Sequence, residues 1–258
     1  MVLIDMNQAR DETSPVPAVL RAVRILDLMA RHNGAVTSSE IARETGMAKS
    51  SVSNLLTTLQ TAGMARQVSR GWVLGFRVLE LGQSVLSSTD LVSEFRRLAI
   101  MLPTLREETA LIAVLDGLDV LYLARHNGNQ PVRLATDIGH RLPAVVTSLG
   151  KAMLASLPEN EMNARLDRVT EMPRLTNHSY RTMAELRSDL SDIRVRGYSI
   201  DDQQNTSGIT CFGVAITGLR QPTAVSSTMV SYRATPQLRD RLILDLRNLA
   251  RQLAGVAT

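Results

Sequence analysis

The chain has 258 residues with a net charge of +4, longer than one small domain and shorter than three if a domain is roughly 150 residues. Hydrophobic residues make up 44% and charged residues 21%, which suits a buried core and excludes a disordered tail; eight aromatics (three Phe, four Tyr, one Trp) make that core aliphatic. The single cysteine, Cys211, excludes an internal disulfide and a cysteine-built zinc site, no apolar run approaches the ~18 residues of a membrane span, and the short acidic start is no signal peptide, so a cytoplasmic protein is expected.

Residues 1–14 read as a polar, mobile arm closed by Pro15 and Pro17. A helix follows, with Val19, Val23, Leu26 and Met29 or Ala30 at three-to-four spacing as its expected apolar stripe and Arg21, Arg24 and Arg31 elsewhere on its surface. Asn33-Gly34 stops it. Thr37-Ser38-Ser39-Glu40 is a capping box that opens a short helix through Ile41, Ala42 and Thr45, ending at Gly46. The next helix runs from near Ala48 to Thr61 on a stripe of Val52, Leu55, Leu56 and Leu59, and stops at Ala62-Gly63. Met64–Val68 and Trp72–Leu74 then read as a hairpin turning at Ser69-Arg70-Gly71. Three helices and a small hairpin are the order of a winged helix-turn-helix, placed at residues 15–76.

A linker helix is expected over residues 77–90, with Val78, Leu81 and Val85 on one side. Ser87-Ser88-Thr89-Asp90 reads as its end and as the cap of a helix from Leu91 to Glu108, kinked at Pro103. Strands are expected at Leu111–Leu115, Val120–Arg125, Val132–Ala135, Tyr198–Ile200, Thr210–Thr217 and Ala224–Ser231. Helices are expected at Gly150–Ser156, Glu159–Thr170, Met183–Arg196 and Pro236–Ala254. This mixture without a regular βαβ repeat reads as α+β with an antiparallel sheet, over residues 91–258.

The helix-turn-helix carries the strongest functional signal. Ala42 supplies the small residue where two helices cross, and Gly46 the backbone conformation a side chain resists. Opposite the apolar stripe of the second helix stand Ser50, Ser53, Asn54 and Thr57, again at helical spacing, with Lys49 and Ser51 at its start. From Thr45 to Leu79 there is no Asp or Glu, although the whole chain has 25. Short hydrogen-bonding side chains read base edges and flanking cations grip phosphates, so such a face fits a DNA major groove. Asn54 is placed to pair with adenine, Arg66 and Arg70 of the hairpin to reach sugar-phosphate or the minor groove, and Trp72 to pack the wing. Ser38 and Arg21 complete the candidate DNA contacts.

No cofactor or metal signature is found. Gly150-Lys151-Ala152 lacks the residues of a phosphate-binding loop, and four scattered histidines have no ligand spacing. Cys211, in an apolar strand, reads as a small buried hydrophobe, and Asp201-Asp202 as turn residues after a strand. Two other classes of function are weighed. One is a small-molecule enzyme using Cys211 or Asp201, with His126, His140 or His178 as base and the winged helix as accessory. The other is a protein-interaction module.

The chain resembles bacterial transcription regulators of the isocitrate lyase regulator (IclR) family from about Val19 to its end. The segments that carry this are Leu20–Leu26, Glu40–Val52 and Trp72–Gly75, then Gly139–Pro143, Ser148–Ala155, Ile193–Asp202 and Gly208–Cys211. The resemblance implies a non-enzymatic regulator, a repressor rather than an activator. It implies a winged helix, a linker helix acting as a rigid lever, and a C-terminal effector domain similar to GAF domains. It also implies a homodimer or dimer of dimers on palindromic double-stranded DNA, and a small organic metabolite as effector. The family's ligand pocket maps onto Ser148, Leu149, Asp201, Cys211, Ser227 and Met229. Two departures stand out. Ser53-Asn54 replace the usual His-Arg of the recognition helix. In the last strand, where small-oxoacid binders offer two serines one residue apart, Ser227 matches the first and Met229 replaces the second, which implies a bulkier or less polar effector.

Overall fold

The structure, a computed structural model, describes residues 14–32, 34–87, 91–130 and 138–255. The chain divides into two compact units, one ending at Leu86 and the other beginning at Ser87. The expected N-terminal arm, apart from Ser14, and the expected strand Val132–Ala135 lie outside the described residues, as do Ser88–Asp90.

The first unit comprises α1 (Pro17–Arg31), α2 (Ser38–Thr45), α3 (Lys49–Thr61), a hairpin of β1 (Ala65–Val68) and β2 (Gly71–Leu74), and α4 (Phe76–Ser87). Pro17 at the first turn costs no hydrogen bond there, which favours the start of α1. The buried face of α1 is Ile25, Leu28 and Met29; of the expected stripe Met29 is buried and Leu26 is half-buried against the core, whereas Val19 and Val23 are exposed, and so is Ala30. Two apolar rows share this helix, and the core of α2, α3 and the hairpin selects one of them. Val52, Leu56 and Leu59 of α3 close that core with Ile41, Ala42 and Trp72. The hairpin pairs Val68 with Gly71, and Trp72 exchanges both backbone hydrogen bonds with Val36, at 2.9 and 2.8 Å.

The second unit is α+β, as its sequence implies. Its elements are α5 (Leu91–Met101), β3 (Thr109–Asp116), β4 (Asp119–His126), β5 (Arg141–Pro143), α6 (Ser148–Ser156), α7 (Glu159–Leu166), α8 (Met183–Arg196), β6 (Ser199–Asp202), β7 (Ile209–Ile216), β8 (Thr223–Val230) and α9 (Pro236–Ala254). The six strands form one antiparallel sheet in the order β5-β4-β3-β8-β7-β6. One sheet face packs under α6, α7 and α8, through Leu149, Met153, Leu166, Leu186 and Leu190. The other face packs against α5 and α9.

Pro103 ends α5 rather than kinking a longer helix. With no N–H, its ring meets the carbonyl four residues back, and the chain leaves by turns to β3. Helix α7 stops at Leu166, short of the expected Thr170, and Asp201-Asp202 lie within β6, not on a turn after it. Strand β5 has no sequence signal; three residues suffice because they pair along Asp119–Leu121 of β4.

Candidate functional site

Two sets of residues are candidates for recognition, one in each unit. In the first, Thr37 and Glu40 close a reciprocal cap at the start of α2: the Thr37 amide donates to Glu40 Oε2 at 2.8 Å and the Glu40 amide to Thr37 Oγ1 at 3.2 Å. Gly46 ends α2 with φ of 71°, in the left-handed region that favours glycine, and so aims α3 across α2. Along α3, Lys49, Ser50, Ser53, Asn54 and Thr57 are exposed while Val52, Leu56 and Leu59 are buried; Ser51 is half-buried. No side chain caps the start of α3, so its first amides point outward, as anion-binding helix starts do. The Thr57 hydroxyl donates to the Ser53 carbonyl at 3.0 Å, which leaves it an acceptor for outside partners. Exposed Ser38 accepts from the Trp72 indole at 3.2 Å, tying α2 to the wing. Arg66 lies over the Phe76 ring at 5.0 Å, Arg70 is exposed at the hairpin turn, and Arg21 is half-buried on α1.

The second set lies on the α6 face of the large sheet. Strand pairing aligns Thr109 of β3, Thr228 of β8, Cys211 of β7 and Asp201 of β6 in one row across four strands. Paired residues share a face, and the next residue along a strand points to the other. Ser199, Gly213 and Ser226 form the neighbouring row on the same face, where the Ser199 hydroxyl donates to the Ser148 carbonyl at 2.5 Å. That contact places the start of α6, with buried Ser148 and Leu149, directly over the rows.

Ser227 and Met229 are therefore not part of this set. They pair with Phe212 and Thr210, project to the α9 side, and are fully buried there; Ser227 donates to the Thr109 carbonyl at 3.1 Å. The hydroxyls facing α6 are Ser226 and Thr228, one residue apart. The strand has three consecutive hydroxyl residues, Ser226-Ser227-Thr228, and only the register tells which two face α6. The inference of a bulkier, less polar effector loses its basis with this shift.

Within the row, Thr228 donates to Cys211 Sγ at 3.2 Å. Asp201 Oδ1 accepts from the amides of Gln204 at 2.7 Å and Asn205 at 3.2 Å. Burial pushes the Asp201 carboxyl up to about 6, against the pull of those amides and of Lys151. Burial, then the adjacent Asp201, pushes the Cys211 thiol up, and burial raises the Tyr122 phenol of β4 in the same way. Cys211 is thus a hydrogen-bonded member of a polar row, half-buried, rather than an inert hydrophobe. A thiol held protonated is a poor nucleophile. Among the described residues the buried Ser226 hydroxyl has no hydrogen-bond partner. A separate cavity of about 250 Å³ opens at the far end of α6, lined by Ala152, Ala155, Arg194 and Tyr198, and shares no residue with the rows.

Two family models match the chain: "IclR helix-turn-helix domain" over residues 18–69 and "Bacterial transcriptional regulator IclR C-terminal" over residues 83–255. The transcriptional repressor IclR of Escherichia coli strain K12 is 32% identical over 214 residues, 79% of this chain and 76% of that protein. The regulator BhcR of Paracoccus denitrificans is 31% identical over 208 residues, 80% of this chain and 74% of that protein. A crystal structure of a transcriptional regulator from Rhodococcus sp. RHA1 superposes with a TM-score of 0.81 at 28% identity, covering 94% of this chain and 98% of that one.

Proposed function

We propose, from the premise that this chain belongs to the IclR family of bacterial transcriptional regulators, that α3 lies in the major groove of its operator and that the Asp201–Cys211–Thr228 row is the floor of its effector site. As a member of that family the chain is a DNA-binding regulator of transcription whose activity responds to a small metabolite.

In this reading Lys49, Ser50, Ser51, Ser53, Asn54 and Thr57 contact the operator from α3, with Ser38 and Arg21 on the backbone and Arg66 and Arg70 from the wing. The observation that carries it is the division of α3 into a buried apolar stripe and an exposed, acid-free polar face behind an uncapped helix start. The effector contacts Ser148, Leu149, Asp201, Cys211, Ser226 and Thr228. Two hydroxyls and a thiol beneath the start of α6 suit a compact metabolite with carbonyl or carboxyl oxygens. It acts by binding DNA-competent and incompetent states unequally, since equal affinity shifts nothing.

The exposed apolar row of Val16, Val19 and Val23, at the start of α1 and along it, supports a homodimer on a palindromic operator, dimers pairing further into tetramers. Residues 15–76 form the reader, 91–258 the effector domain and 77–90 the linker, whose described part lies in α4 and serves as the lever. The protein works in the cytoplasm, as a repressor, without cofactor or catalysis. Selection of bound duplexes from a random pool, with and without glyoxylate, pyruvate and related acids, tests the reading. Recovery of a palindromic consensus whose binding one acid changes is expected; no enrichment of any duplex over random fragments overturns it.

A further inference from the structure

Lys151 is the most unusual buried group in the second unit. Its side chain is fully buried on α6, and its ammonium, with three N–H donors, lies within hydrogen-bonding distance of four oxygens: Ile200 O at 2.5 Å, Gln204 Oε1 at 2.6 Å, Asp189 Oδ2 at 2.9 Å and Tyr180 Oη at 3.2 Å. The Tyr180 ring also faces the ammonium at 4.9 Å. A methionine there would fill similar volume without desolvating a charge, so simple packing does not account for a lysine. Two of the four acceptors belong to the chain around Asp201. Ile200 precedes it, and Gln204, whose side chain Lys151 holds, donates its own amide to Asp201 Oδ1 at 2.7 Å. The turn from Gln203 to Gly208 is held at other points too: Thr176 and Ser179 donate to the carbonyls of Gln203 and Gln204, both at 2.6 Å. Gln203 itself is strained, with φ of 62°, the one non-glycine residue at positive φ among the described residues.

We propose that Lys151 is the positioning residue of the effector site, seating the Gln203–Gly208 turn through Gln204 so that Asp201 is presented to the ligand with a defined geometry and charge. This rests on the reading of the Asp201 row as the effector site, and assigns a role to a residue outside it. The charged and titratable groups around Asp201 are Lys151 from α6, Cys211 from β7, Tyr122 from β4 and Asp202 from its own strand. Lys151 favours the ionised carboxyl, Asp202 disfavours it, and Asp189, Tyr180 and Arg196 surround Lys151 on its far side. Removing the ammonium takes away its attraction for the carboxylate and loosens the Gln204 and Asn205 amides from it, and both losses raise the proton affinity of Asp201.

The test uses the full-length protein and needs neither DNA nor ligand. The carboxyl carbon of Asp201 is followed by NMR against pH, and exchange of the Gln204 and Asn205 amides is measured alongside. Lys151→Met is expected to move the Asp201 midpoint upward from about 6 by about one unit, a tenfold gain in proton affinity. Gln204→Leu keeps the lysine and its partner Asp189, and is expected to speed exchange of the two amides about tenfold. An unchanged midpoint in Lys151→Met overturns the proposal. Should that variant not fold, unchanged amide exchange in Gln204→Leu overturns it. Failure of the effector reading shows separately, as a metabolite response that survives Asp201→Ala and Thr228→Val.

Discussion

Asn54 stands on the exposed face of α3, where its amide has both a donor and an acceptor to offer an adenine edge. Asn54→Ala should weaken operator binding about ten- to a hundredfold, the value of one bidentate base contact, and leave effector affinity within experimental error. Fluorescence anisotropy on the selected duplex and calorimetry on the metabolite measure the two. Asp201 makes a stability prediction with a definite sign. Its folded-state value of about 6 lies above its ordinary 3.8, so between those values the folded chain holds a proton the unfolded chain has lost. Stability from this group falls as pH rises through that window and stays reduced above it. Asp201→Asn, which keeps an oxygen for the two amides, should therefore stabilise the second unit by about 2–3 kcal/mol at neutral pH, with the gain vanishing below the window, as read by urea unfolding at a series of pH values. The residue types at this site were legible in the sequence for Asp201 and Cys211, whose neighbours carry the family pattern. Ser226 and Thr228 were not, because three adjacent hydroxyl residues look alike until pairing with β7 assigns each to a face.

Helices α2 and α3 are the elements most completely written in local sequence. The Thr37–Glu40 cap, the left-handed Gly46 and the stripe of α3 each depend on residues within a few positions of one another. Thr37→Ala should cost the first unit about 0.5–2 kcal/mol, the usual value of a lost N-cap, measured by thermal melting. Helix ends and buried faces were harder to place where neighbouring elements set them. Pro103 stops α5 because its ring opposes the preceding turn, and the row of α1 that is buried was decided by the α2–α3 core, not by spacing along α1. The seating of α6 is a further case. A side-chain carbon at Gly213 would come within 2.7 Å of both the Ser148 carbonyl and the Ser199 hydroxyl, so the sheet accepts α6 this closely only at a glycine. Gly213→Ala should push the start of α6 outward and reduce metabolite affinity at least tenfold while DNA binding without metabolite persists. Calorimetry and anisotropy separate the two effects.

At the scale of the whole chain, the acid-free stretch from Thr45 to Leu79 places the positive field on the reading unit, although the net charge is only +4. Operator binding should weaken steeply with salt, by several powers of ten between low and physiological ionic strength if about six to ten phosphates are contacted, while metabolite binding stays nearly flat. The sequence alone was sufficient for the winged helix, the α+β class and the family, because caps, stripes and acid-free faces are local and because ordered motifs run through both units. Tertiary structure alone decided which hydroxyls of β8 face α6, that Asp201 lies in a strand, and that a lysine sits buried beneath it. Those outcomes depend on strand register and on which helix covers which face, and both are settled by contacts between residues far apart in the chain.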